Sequence, residues 1–552
     1  MGTSAAPPTT LISRLVINLD KKIRRTGSTA NGNDGTWGGA PIKDSAEPII
    51  NRALMYAVYS YSVRWILIND KQYPDAEARS QFASMKNNLA CGLYHQARKD
   101  MYAIMSLPSY RSVLALYLFA IIPSSIHAQG DSFSDLCLEA SLSHQVYLQT
   151  RAQMPSSSGD SIASLLDRGA FSSTNITLMQ EDSPLDTEKQ EFQSMSRLAF
   201  WFGVISDTTR ALTRCRPSIV LPGNTGESKV WSTVRQRTQL FEPQFKSLRA
   251  QPTPFTDDQV VAVLQHAFPL KTLVWAAITR VQDALVHQLS GISLAEAVDN
   301  ARKESNLFEQ TFGQLLCLCQ RDFLLLTRTT QMYWTLLNIH FQVGNLILVD
   351  ALPSTFVFID QNTTPYDLRL CACRSIIIAL NLALQTRYLG TDNVVRPNIL
   401  LLDPYPDLMT NAIIRTGSSI FTLYNMQKLT TESALTMFAV VISALEVLAE
   451  ISYTASAAIP LLKQRFEGSG IDRNAIFNND VLHQAAASVS AAVDKDLFDA
   501  DVLRQLEQQA TDQSWIDRVV QQSEESPAPL QLPEEMEPID LELFSRDWTF
   551  DV

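Results

Sequence analysis

Glu191 to Gly223, EFQSMSRLAFWFGVISDTTRALTRCRPSIVLPG, is the stretch that decides between helix and strand for this chain. Leu198, Trp201, Phe202, Ile205 and Leu212 recur at helical spacing, and Arg197, Asp207, Arg210 and Arg214 share their turns. A helix here buries aromatics beside charges. Arg216-Pro217 closes it, because proline lacks an amide hydrogen and biases the preceding residue toward extended geometry. Ile219-Val220-Leu221 forms a short apolar exit ending at Pro222-Gly223. Upstream, Thr187 and Gln190 have capping-box spacing and are expected to start the helix.

A second segment, Gln96 to Gln149, stands in a fixed order before this one. Ala97-Arg98 comes at a helix end, then Leu107-Pro108-Ser109, a Leu-rich run from Val113 to Phe119, a loop with Gly130, and a helical pattern from Leu138 to Leu148. Together the two segments resemble the fungal transcription-factor middle homology domain, the regulatory region of binuclear zinc cluster (six-cysteine) activators. In that family a helix of the form Arg-x-x-x-Trp, with Asp about six residues on, leads into Gly/Cys-Arg-Pro. The matching positions are Arg197, Trp201, Asp207, Arg216 and Pro217, with Arg98 in the upstream segment. Leu114-Ala115-Leu116 stands where the family often has Gln-Ala-Leu, and Phe341-Gln342 where a Tyr-His pair is usual. The resemblance covers roughly residues 46 to 350. It implies an all-α regulatory domain, nuclear location, RNA polymerase II transcription as output and DNA binding through a zinc module.

That module is not visible. The seven cysteines, Cys91, Cys137, Cys215, Cys317, Cys319, Cys371 and Cys373, never form a run of six, so zinc is expected only in a module outside these residues. Scattered through apolar stretches, they suit reduced thiols. In each Cys-x-Cys pair, residues two apart on a helix point to different faces, which favours buried thiols over a metal site. A net charge of −12 argues against the bulk of the chain neutralising nucleic-acid phosphates, so any DNA contact is local or lies in the absent module.

Outward from the signature, residues 1 to 45 read as a flexible linker. Its compact basic cluster, Lys21, Lys22, Arg24 and Arg25, is a candidate nuclear-import signal or simply a solvated charged turn. From residue 46 to 465 helical periodicity recurs, as in Leu54, Val58, Tyr61, Trp65 and Ile68, and strand alternation is not sustained. Residues 155 to 186 are rich in Ser, Thr, Asp and Gly and read as an exposed loop. Thr256 with Gln259 is a second capping-box match. His340 reads as a satisfied core or rim histidine. The longest apolar runs, Leu114 to Ile122 and Ala434 to Leu445, are shorter than a membrane span requires, so no membrane is expected.

Residues 466 to 522 read as a polar helical extension. From Ser523 to Val552 nine acidic residues face one base, and four prolines exclude a long helix. Leu543, Phe544, Trp548 and Phe550 stand among the acids, available to the apolar groove of a transcription coactivator or to masking by the chain's own body. Phe544 and Trp548 share a face if the tail folds on binding.

Chemistry is harder to find. No Gly-x-Ser-x-Gly, phosphate loop or Gly-x-Gly-x-x-Gly occurs, and Asp257-Asp258 has Val261 where a magnesium-binding carboxylate cluster needs a third acid. No catalytic residue, metal ligand or cofactor is assigned. The sequence therefore predicts a regulatory part of a transcription factor, with a possible small-molecule effector and a possible homodimer. A helical interaction scaffold or corepressor lacking DNA contact fits the same residues.

Overall fold

The computed structural model describes residues 15–22, 44–66, 76–122, 132–153, 184–220, 224–251, 253–287, 293–352, 364–386 and 397–467. Among them 88% are helical, in 15 helices, and no strand occurs. The expected all-α class is what the chain adopts. In order these are α1 (15–22), α2 (Glu47–Ser62), α3 (Ala76–Ile104), α4 (Tyr110–Ala120), α5 (Ser132–Gln153) and α6 (Pro184–Arg214). Next come α7 (Asn224–Leu240), α8 (Glu242–Arg249), α9 (Asp257–Gln282), α10 (Leu294–Arg321) and α11 (Arg328–Ala351). The last are α12 (Pro365–Gln385), α13 (Pro406–Asn425), α14 (Thr431–Leu448) and α15 (Tyr453–Glu467).

Local chemistry explains several of the starts. Ser109, Thr327, Thr364 and Thr430 each accept a hydrogen bond from the third residue on, which satisfies an amide that the first helical turn leaves open. The capping box expected at Thr256 and Gln259 is present at the head of α9. The one expected at Thr187 does not start α6, which begins at Pro184. Proline suits a first turn because its missing N–H has no partner there in any case.

The helices pack as a chain of neighbours. α2 lies on α3 and α4, α4 on α5, α5 on α6, and α6 on α9. α9 packs on α10 and α11, α11 on α12, and α12 to α15 close the far end. One continuous buried cluster runs from Leu15 to Phe466. Phe438 and Phe466 stack with ring centres 3.9 Å apart, and burial of each such ring contributes about 2–3 kcal/mol. Phe466 thus belongs to the helical body, although an extension was expected to begin there. The remainder of that extension and the tail, with Leu543, Phe544, Trp548 and Phe550, lie outside the described residues.

Two further expectations change. Segments Asp257–Val286 and Thr431–Leu448 are long and apolar enough to cross a membrane, which the sequence reading did not anticipate. Of their apolar windows 72% and 61% are buried in the bundle, so packing accounts for the apolarity. The linker expected over residues 1 to 45 is interrupted by α1, where Leu15, Val16 and Leu19 join the core. Asp20 holds it there. Its carboxylate accepts the backbone N–H groups of Tyr110 (2.8 Å) and Arg111 (3.2 Å) and the Nε–H of Arg111 (2.7 Å). A side chain 90 residues upstream therefore caps α4, and Arg111 continues the network to Glu47 and Asn51 on α2.

Candidate functional site at the end of the signature helix

α6 ends in a way that accounts for its own sequence. Cys215 takes φ 50°, the left-handed conformation, and the N–H of Arg216 reaches back to the carbonyl of Ala211 (3.2 Å). This six-to-one bond is the Schellman stop, in which glycine is the usual left-handed residue. The position read as Gly/Cys is thus a helix terminator. With a side chain there, the left-handed geometry costs roughly 1–2 kcal/mol.

Beyond the stop the chain doubles back over α6, and Asp207 holds it. Asp207 is 1% exposed, and its Oδ2 accepts Ser218 Oγ–H (2.6 Å), Ile219 N–H (2.8 Å) and Val220 N–H (2.8 Å). One turn on, Arg210 donates from Nη1 to the carbonyl of Pro217 (3.1 Å) and from Nη2 to Glu139 Oε1 on α5 (2.6 Å). Burial pushes the Asp207 carboxyl above its ordinary range, opposed by its three donors and by Arg210. Asp207 Oδ2 and Arg210 are used within the turn, while Asp207 Oδ1 has only Arg210 Nη1 at 4.0 Å and no hydrogen bond among the described residues, so the arrangement reads as a brace.

The other signature residues fall around this brace. Arg98 on α3 lies with its guanidinium 5.1 Å from the ring centre of Phe133 on α5, the helix that also carries Glu139. Trp201 is half-buried against the core with Phe200 edge-on at 6.0 Å. Arg216 and Pro217 are exposed. Arg197 lies on α6, and its side chain is outside the described residues, as are Arg24 and Arg25; Lys21 and Lys22 close α1. The apolar stripe differs from expectation at Ile205, which is 40% exposed, whereas Val204 and Ala211 are buried. Gly203 explains the rotation. A Cβ there would stand 2.9 Å from Gln145 Cγ, so α5 and α6 meet closely at that point, and Gln145 Nε2 donates to the carbonyl of Ala199 (3.0 Å).

A second polar seam, which the sequence reading missed, joins the first helices to the last. Arg64, just after α2, lies over Tyr61 and Trp65 with ring centres at 4.7 and 5.2 Å. Its Nη1 stands 3.9 Å from Asp407 Oδ2, and burial pulls its pKa down. Trp65 Nε1 donates to the carbonyl of Leu401 (2.7 Å), and the Tyr61 hydroxyl donates to that of Pro404. Asp403 accepts the Tyr405 N–H through Oδ1 (2.8 Å), while Oδ2 has no partner among the described residues. Burial carries the Asp403 carboxyl up to about 7. The hydrogen-bonded partners are 336 and 343 positions apart, so no local pattern could pair them.

Residues weighed for metals or chemistry have ordinary uses. Asp257 accepts the N–H (3.0 Å) and Oγ–H (3.1 Å) of Thr327, tying the head of α9 to that of α11. Burial pushes the thiols of Cys319 and Cys373 to about 12, away from the thiolate that binds metal. No group of three His, Cys, Asp or Glu side chains positioned for a metal occurs among the described residues. His340 departs from expectation: it is buried, but its Nε2 finds no partner among the described residues.

Compared with protein-family models, with characterised proteins and with solved structures, the chain matches none.

Proposed function

We propose that this chain is the regulatory and activating part of a fungal-type RNA polymerase II transcription factor, acting in the nucleus, with DNA contact made by a zinc module outside these residues. The observation that carries this reading is the use of the signature residues. Asp207, Cys215, Arg216 and Pro217 build one braced helix stop, so their spacing has a physical reason beyond a chance pattern on an amphipathic helix. An all-α body supports it too, because the resembled domain is helical throughout.

On this reading the body restrains or presents the acidic, aromatic tail, and a small effector or a partner protein shifts that balance by binding one arrangement better than the other. The tail's coactivator contact is made by Leu543, Phe544, Trp548 and Phe550. The test is a fusion of residues 523–552, and separately of the whole chain, to an unrelated DNA-binding domain driving a reporter. The tail fusion is expected to activate transcription. Phe544→Ala with Trp548→Ala should reduce that activation more than tenfold in both fusions. A silent tail fusion would remove the activating role.

A further inference from the structure

We propose that Lys271 and His340 form the polar end of a buried site for an organic monoanion, a carboxylate on an apolar body, between α9 and α11. The inference goes beyond the proposed function and does not rest on it, since binding is read on the purified chain and activation on a reporter.

Lys271 is 3% exposed on α9, and no carboxylate of α6, α7, α10 or α11 pairs with it among the described residues. Its Nζ lies 3.8 Å from the ring centre of Trp275, so its one described contact is a π face. On the facing helix, the His340 ring centre is 5.6 Å from that of Trp275. Two basic groups thus flank one indole with no anion between them.

The indole itself is fixed. Trp275 Nε1 donates to the backbone carbonyl of His340 (2.9 Å), and the ring presses on bare Gly344, where a Cβ would stand 2.8 Å from Cδ1 and Nε1. Pro269, two residues before the lysine, lacks an N–H and so leaves out one hydrogen bond in the middle of α9.

Charge and surroundings define the ligand. A buried ammonium without a counter-ion is expensive, and a methionine of similar shape would be tolerated better, so the cation is unexplained by packing alone. One positive charge calls for one negative charge. Apart from His340 the described surroundings are apolar, with Trp275 and Ile278 pressed on Gly344. Burial pushes the Lys271 amine down to about 7, and His340 is held well below its ordinary value by burial and by Lys271. Further along α9 stands His266, on which Arg237 of α7 acts, and α10, which packs against α9, carries Arg302 and Glu309. A bound carboxylate restores the lysine's charge, so binding takes up a proton.

Binding there also reaches the signature. α9 packs against α6, and Gln282 Nε2 donates to the carbonyl of Leu212 (3.1 Å), three residues before the Schellman stop.

The test uses the full chain with benzoate and octanoate as probes, and benzamide and octanamide as their uncharged counterparts, in thermal-shift titrations. At least one carboxylate is expected to raise Tm at millimolar concentration, with its amide inert and with affinity about tenfold weaker at pH 8.5 than at pH 6.5. Lys271→Met should weaken binding at least tenfold. In the unaltered protein the carboxylate should slow acetylation of Lys271 by acetic anhydride at least fivefold relative to the exposed Lys303, a readout that survives if the variant misfolds. No response to either carboxylate, a response equal for acid and amide, or unchanged acetylation of Lys271 would overturn the site.

Discussion

The end of α6 and the middle of α9 treat a buried charge in opposite ways. At the first, Asp207 is matched by three donors and Arg210 by two oxygens, and the result is a rigid turn. At the second, Lys271 has a tryptophan face and an orphaned histidine nearby and no counter-charge among the described residues. A buried ion held by several donors and a facing opposite charge specifies one conformation, even with one oxygen of Asp207 left without a hydrogen bond. A buried ion without them is held at a cost, and anything that supplies the missing charge acts on the whole helix.

The sharpest way to break the contrast is at the matched site. Asp207→Ala leaves Arg210, the buried amide of Val220, the half-buried amide of Ile219 and the Ser218 hydroxyl without the carboxylate and should cost about 3 kcal/mol, read as a fall in the urea midpoint. A loss below 1 kcal/mol would mean that water replaces the carboxylate and that the turn is not braced.

At the unmatched site the sign reverses. Lys271→Met should stabilise the protein by about 2 kcal/mol at pH 6. Because the folded amine titrates near 7 and the unfolded one near its ordinary value of 10.5, the wild-type protein gains stability as pH rises through that window, and its deficit against the variant closes. Urea unfolding at pH 6, 8 and 10 measures this, and a deficit independent of pH would place the cost in packing.

The smallest effect is at the helix stop. Cys215→Gly relieves a left-handed side chain and should raise stability by about 1 kcal/mol. A destabilised variant would show that the cysteine side chain contributes more by packing than its backbone strain costs.

What could be read from the sequence was what lies within a turn or two of itself. The periodicity of residues 191–214, the proline stop after Cys215 and the Thr256–Gln259 box are local patterns, and each has a structural counterpart. The Schellman stop was hidden because cysteine stands where glycine would have announced it. The start of α6 was misplaced at Thr187 because a proline three residues earlier does the same work without a cap. The stripe was rotated by Gly203, whose missing side chain matters only to Gln145 on another helix. His340 was read as satisfied because nothing near it in sequence reports that its ring is buried beside Trp275 with Nε2 left without a partner among the described residues. The seam of Arg64, Asp403 and Asp407 depends on elements from opposite ends of the chain, and hydrophobic spacing carries no information about such pairs.

The cap that Asp20 places on α4 has a practical result for any test of the nuclear location proposed above. Lys21 and Lys22 directly follow that carboxylate, so trimming the chain past them would also strip α4 of its acceptor and α2 of part of its network. Loss of nuclear signal after such a deletion would report a collapsing body as readily as a missing address. Single replacements of Lys21, which is exposed, leave that anchor in place and separate the two.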